Sequence, residues 1–149
     1  SAAAQFARQA AVAFVVYQPE VRHPVEVTAA QQEHLVQWLS KRVGHKLKVP
    51  DLTAQGYQLL GGRLLPGESG ARAQFMYQDA AGKRLTLYLG AVKEPSKVNA
   101  KETAFRFFEE GGVPAFYWVD QGFGCAITGQ LPRGVLLELA RIAYEQLEI

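Results

Sequence analysis

The sequence predicts an α+β fold, in which helices pack on an antiparallel meander sheet of about six strands. Short segments of alternating apolar and polar residues follow one another over positions 56–128. Tight turns rich in Asp and Gly separate most of them, as in antiparallel hairpins. Segments with helical apolar spacing precede and follow this region. Helices and strands are therefore segregated along the chain, which is typical of the α+β class.

An N-terminal helix pair is predicted before the strands. The apolar segment Ala2–Tyr17 forms a short first helix that must end by Pro19. The second helix is predicted at about 29–43, where Thr28 and Gln31 form a capping box. Its apolar face consists of Leu35, Trp38, Leu39 and Val43, and Gly44 ends it in a left-handed conformation.

The first strand is expected within Gly56–Pro66, interrupted by Gly61-Gly62. Glycines inside a strand pattern indicate a β-bulge or a close backbone approach. An alternative is that the two glycines admit a ligand or the backbone of a partner.

Five further strands are predicted after this one. Ala73–Gln78 and Leu85–Leu89 form a hairpin around an Asp- and Gly-containing turn. Three more strands begin at Ala104, Val113 and Phe123, separated by turns at Gly111-Gly112 and at positions 120–122. The polar segment at 92–102 is expected to be a loop.

A C-terminal helix is predicted to begin at Pro132, which is suited to the first helical position. Its wide apolar stripe consists of Val135, Leu136, Leu139, Ile142, Ala143 and Leu147. This helix is expected to pack across the sheet.

The composition is that of one globular domain. The chain has 149 residues, 48% of them hydrophobic and 20% charged. A formal net charge of +2 does not favour nucleic-acid binding. The longest apolar run near the start, Ala10–Tyr17, is far shorter than the ~20 residues of a membrane-spanning helix.

The reactive side chains do not form a recognisable catalytic or metal-binding motif. Cys125 alternates in phase with Phe123 and Ile127, so it is expected in the core. His23, His34 and His45 lie too far apart in sequence for a ligand pair on one helix face. We therefore predict no enzyme, no cofactor and no metal site, with a hydrolase based on Cys125 as the weakest alternative.

A possible interaction surface lies on the sheet face opposite the main core. Met76, Tyr88, Phe108 and Tyr117 fall on this second face of their strands. An exposed patch of this kind requires a cover. The cover could be the chain's own helices, a second subunit in a homodimer, or another protein.

Seven segments, in this order, resemble one family: the extracytoplasmic part of membrane-anchored anti-sigma factors, described as transmembrane transcriptional regulators of proteobacteria. The segments are RHPVEV (Arg22–Val27), HLVQWLSKRVG (His34–Gly44), VPDLTAQGYQLLGGRLLP (Val49–Pro66), AQFMYQD (Ala73–Asp79), GKRLTLYL (Gly82–Leu89), TAFRF (Thr103–Phe107) and FYWVDQGFGCAITG (Phe116–Gly129). The resemblance covers nearly the whole chain and lies in the series rather than in one motif.

The resemblance implies a signal-sensing or interaction domain on the periplasmic side of the inner membrane. It implies that residues 1–20 form a juxtamembrane stalk or helix and that residues 21–149 form a single α+β domain. The sigma factor would be held by a cytoplasmic segment outside this sequence, and a protein or protease of the envelope would be the partner. The alternative is a small-molecule-binding α+β module of the cell envelope.

Overall fold

The computed structural model describes residues 1–93 and 104–147 and confirms the α+β class. The helices are α1 (Ala2–Tyr17), α2 (Gln32–Val43) and α3 (Arg133–Leu147). The strands are β1 (Val27–Thr28), β2 (Gln58–Leu65), β3 (Arg72–Gln78), β4 (Arg84–Ala91), β5 (Arg106–Glu110), β6 (Val113–Asp120) and β7 (Phe123–Gly129). They form one sheet in which every described pairing is antiparallel.

The strand order is β1-β2-β3-β4-β7-β6-β5, so the sheet consists of two meanders placed side by side. The predicted hairpins are present, and β1 is an additional strand of two residues. A single meander would place β5 beside β4, whereas the structure places β7 there and β5 at the far edge. The predicted loop at 92–102 lies outside the described residues except for its first two.

Helices cover both faces of the sheet. Helix α2 contacts β2 and β3, and α3 contacts β6 and β7 on the same face. Helix α1 lies on the opposite face, against β4, β5, β6 and β7. We call these two sides the α2/α3 face and the α1 face. The larger core lies on the α2/α3 face, where Phe75, Leu87 and Ile127 are fully buried.

The Gly61-Gly62 interruption is a bulge with a close backbone approach, as predicted. The pairing between β2 and β3 shifts by one residue between Leu59 and Gly61. A Cβ atom at Gly61 would lie 2.0 Å from the carbonyl oxygen of Val27, and Gly61 has a φ of 148°. Only glycine therefore allows β1 to pair here, and the approaching backbone belongs to the chain itself.

Three details of the helices differ from the predictions. The capping box is wrong: Thr28 makes no side-chain capping hydrogen bond, because residues 29–31 form a 3-10 helix and α2 begins only at Gln32. Val135 was predicted in the apolar stripe of α3 but is exposed. Pro132 immediately precedes α3, and its carbonyl accepts a hydrogen bond from the Leu136 N–H at 3.0 Å.

Candidate functional site

The α1 face is built from cross-strand rows of aromatic, polar and small side chains. The register aligns Gln74, Tyr88, Ala126 and Tyr117 in one row across β3, β4, β7 and β6. The adjacent row contains Met76, Thr86, Thr128 and Ala115 across the same strands. Because side chains alternate along each strand, both rows point to the side on which α1 lies.

Helix α1 docks on this face mainly through small side chains. Its buried alanines are Ala3, Ala7, Ala10, Ala11 and Ala13. Alanine favours the helix and allows its backbone to approach the sheet closely. Two larger groups anchor the contact: the Phe6 ring lies 5.2 Å from the Tyr88 ring, and Phe14 packs with Val113.

The predicted interaction surface is covered by the chain itself. Tyr88 and Tyr117 are 2% and 7% exposed, and both belong to the apolar cluster formed with α1. Phe108 is half-buried and packs against the same helix. Met76, in the neighbouring row, is fully buried. The sequence left open whether a helix of the same chain, a second subunit or another protein covers this surface. In the structure, helix α1 of the same chain covers the three aromatic residues.

Several buried polar atoms on the α1 face have no hydrogen-bond partner among the described residues. They are Arg63 Nε, Arg72 Nε, Gln74 Nε2, Thr86 Oγ1 and Thr128 Oγ1 of the sheet, and Gln9 Oε1 of α1. Each such group destabilises the docked arrangement by about 1–3 kcal/mol unless it finds a partner. On the α2/α3 face, by contrast, the buried Tyr77 hydroxyl donates to the Pro50 carbonyl at 2.8 Å.

Two arginines tie the segment that follows α1 to the sheet. The Arg84 guanidinium donates to the carbonyl oxygens of Gln18, at 2.7 Å, and Glu20. Arg63 donates to the His23 carbonyl at 2.9 Å, and its guanidinium carbon lies 3.8 Å from the centre of the Tyr17 ring. The C-terminal end of α1 is therefore held by polar contacts near solvent.

An open groove of about 770 Å³ runs beside α1. One wall comes from α1, the other comes from the end of β2 and the turn that follows it, and Tyr88 also lines the groove. The apolar lining residues include Val12, Ala13, Val16, Leu65 and Pro66, and the polar ones include Gln5, Arg8, Gln9 and Glu68. Volumes of this order are typical of small-molecule sites.

The cysteine and the three histidines do not line this groove. Cys125 is buried in the α2/α3 core, as predicted, and burial raises the pKa of its thiol far above the ordinary value. The ring of His45 stacks on Phe123 at 4.0 Å, whereas His23 and His34 are exposed. Within residues 1–93 and 104–147, no group of three or more His, Cys, Asp or Glu side chains could hold a metal ion.

Within the part of the chain that the structure describes, none of the helices is both long and apolar enough to span a membrane. Comparison of the sequence with protein-family models and with curated proteins gives no match.

Proposed function

We propose that this chain is a non-enzymatic sensing or interaction domain, the extracytoplasmic part of a membrane-anchored anti-sigma factor that regulates an alternative sigma factor. The observation that carries the proposal is the composition of the α1 face. A helix of mostly alanine contacts covers buried aromatics and polar atoms without partners. Such a cover is removed at a lower free-energy cost than a large apolar core.

In this proposal the domain exchanges between a docked state and a released state of α1. Release uncovers Tyr88 and Tyr117 and frees Phe108 on the neighbouring edge strand. A partner protein or a protease of the envelope that binds only the uncovered face shifts the population toward release. The hydroxyl and amide groups beneath α1 then gain water or a partner, which lowers the free energy of the released state.

The position of α1 supplies the link to the membrane. By resemblance, a membrane helix precedes α1, and the sigma factor is held on the cytoplasmic side. A change in α1 is therefore passed directly to the membrane helix, whereas α2 and α3 lie on the other side of the sheet. In this proposal the domain lies on the periplasmic side of the inner membrane.

The test uses the membrane-anchored parent protein that the proposal requires and a transcriptional reporter of the sigma factor. Ala7 lies on the side of α1 that faces the sheet and is fully buried, so Ala7→Glu should undock the helix. Val15 is 53% exposed on the same helix, so Val15→Glu is the matched control. We expect Ala7→Glu to change reporter output severalfold and Val15→Glu to leave it at the wild-type level.

Deletion of residues 1–149 from the same parent is the second arm of the reporter experiment. The proposal predicts that output no longer responds to envelope stress after this deletion. Sigma-dependent output that is the same in the parent, the deletion and Ala7→Glu would refute the role in sigma-factor control.

The groove beside α1 favours a second function, that of a small-molecule-binding module of the envelope. Its size and its mixture of apolar and polar walls are those of a ligand site. Thermal unfolding in the presence of a panel of periplasmic metabolites tests this function. A rise in Tm with one chemical class supports it, and a flat panel opposes it.

A further inference from the structure

Arg72 is a buried charge without a counter-charge among the described residues. Its side chain begins on β3, is 3% exposed and takes part in neither of the two described ion pairs. One guanidinium nitrogen donates to the Ala91 carbonyl at 2.6 Å, but Nε has no partner. Burying a cation without a counter-charge carries a desolvation cost of several kcal/mol, which the hydrogen bond to Ala91 and the contact with Tyr88 offset in part.

The surrounding backbone makes room for this arginine. A Cβ atom at Gly90 would lie 2.5 Å from Cδ of Arg72 and 2.7 Å from Nη1. The Phe6 ring of α1 lies 5.0 Å from the guanidinium carbon on another side. The phenol of Tyr88 is also close: burial raises its pKa, and the charge and hydrogen bond of Arg72 act in the opposite direction. The Arg72 side chain is therefore enclosed by Gly90, Phe6 and Tyr88.

Arg72 lines a small pocket of about 20 Å³ at the end of the groove. That volume is enough for about one water-sized polar atom. Gln5, Gln9 and Glu68 line both spaces, so the pocket and the groove adjoin. Lys93 also lines the pocket, so two cations face the single carboxylate of Glu68, which is exposed to solvent.

The groove offers an apolar wall next to this cationic end. Val12 and Val16 lie one helical turn apart on α1, and the groove wall opposite them contains Leu65, at the end of β2, and Pro66, which follows it. Val12 and Val16 are 56% and 52% exposed, and neighbouring exposed apolar side chains of this kind are found in ligand-binding grooves. The combination suits a molecule with an anionic head and an aliphatic chain.

We propose that the groove binds an aliphatic carboxylate, with its head at Arg72 and its chain along Val12, Val16 and Leu65. One carboxylate oxygen occupies the small pocket and accepts a hydrogen bond from Arg72. The Gln9 side chain lines both the groove and the small pocket, and its amide N–H donates to the head after the side chain turns. The inference rests on the second function proposed above, for which it names the ligand class, and it does not depend on control of a sigma factor.

The test is calorimetric titration of the full chain with three probes kept below their micelle-forming concentrations. Decanoate carries the head and the chain, decyltrimethylammonium carries the chain with the opposite charge, and butyrate carries the head with a short chain. We expect decanoate to bind at least about tenfold more tightly than either of the other probes.

Two neighbouring valines give a matched pair of variants. Val16 lines the groove and Val15 does not, although they are 52% and 53% exposed on the same helix. We expect Val16→Asp to weaken decanoate binding at least about tenfold and Val15→Asp to leave it unchanged. Arg72→Met, which keeps an apolar stem, should remove the preference for decanoate over decyltrimethylammonium.

Circular dichroism of each variant confirms that it is folded before binding is compared. If Arg72→Met does not fold, the valine pair and the three probes still decide the question. The proposal is overturned if decanoate does not bind the wild-type chain, if Val16→Asp and Val15→Asp bind it equally, or if decyltrimethylammonium binds as tightly.

Discussion

The two faces of this sheet are built in different ways. The α2/α3 face buries large apolar side chains such as Phe75, Leu87 and Trp118, and the buried hydroxyl of Tyr77 has a partner. The α1 face is covered largely by alanines and contains hydroxyl, amide and guanidinium atoms without partners. One sheet therefore combines a face made for stability with a face whose cover can be displaced.

The difference predicts that local stability varies across the molecule. Apolar burial contributes roughly 25 cal/mol for each Å² removed from water, so the larger side chains of the α2/α3 face contribute most to the free energy of folding. Elements that open below the free energy of global unfolding are those with few large apolar contacts. Helix α1 buries two large apolar side chains, Phe6 and Phe14, whereas α3 buries Leu136 and Leu139 and also packs Leu137, Ile142, Tyr144 and Leu147 against the core. We therefore expect α1 to open before α3.

The largest difference in the free energy of unfolding is expected between alanine variants of two phenylalanines that are equally buried on opposite faces. Phe75 is 0% exposed on the α2/α3 face, and Phe6 is 1% exposed on the α1 face. Phe75→Ala should lower the free energy of unfolding by about 3–5 kcal/mol. Phe6→Ala should lower it by clearly less, because α1 can undock while the rest of the sheet stays folded.

Denaturant unfolding followed by tryptophan fluorescence measures both variants. The two tryptophans of the chain, Trp38 and Trp118, belong to the core of the α2/α3 face, so their signal reports that core rather than the docking of α1. Equal losses of stability for the two variants would show that the faces form a single cooperative unit.

A smaller difference in the free energy of unfolding is expected between two variants that each remove a buried hydroxyl group. Tyr77→Phe removes a donor to the Pro50 carbonyl and should destabilise the protein by about 1 kcal/mol. Thr86→Val replaces a buried hydroxyl without a described partner by a methyl group of similar size, so it should be neutral or slightly stabilising. The same denaturant titration measures both. If Thr86→Val destabilises as much as Tyr77→Phe, its hydroxyl has a partner such as bound water.

Local sequence patterns predicted the helices, the hairpins and the bulge because each depends on neighbouring residues. The hairpin at Gly111-Gly112 is an example, since both glycines adopt positive φ, 61° and 75°. The pairing of β4 with β7 was not predictable in the same way. It depends on where the chain goes after a long connection, and alternation within a strand does not specify that.

The sequence predicted which strand residues share the face of the candidate site, but not what covers them. A period of two placed Tyr88 and Tyr117 on one face, but it could not say that α1 covers them. The recurring buried alanines of α1 are the signal that could have shown close packing against a sheet. Arg72 was missed because a cation in an alternating strand is normally expected to face solvent, and the space beside Gly90 becomes visible only in the fold.

Hydrogen exchange of the backbone amides, measured by mass spectrometry on the folded chain, tests the central claim most directly. The account predicts that the amides of α1 (Ala2–Tyr17) exchange well before those of α3 (Arg133–Leu147) and of β4 and β7. Ala7→Glu should accelerate exchange in α1 alone. Exchange of α1 at the same rate as α3, both limited by global unfolding, would contradict the claim that α1 is a separable cover.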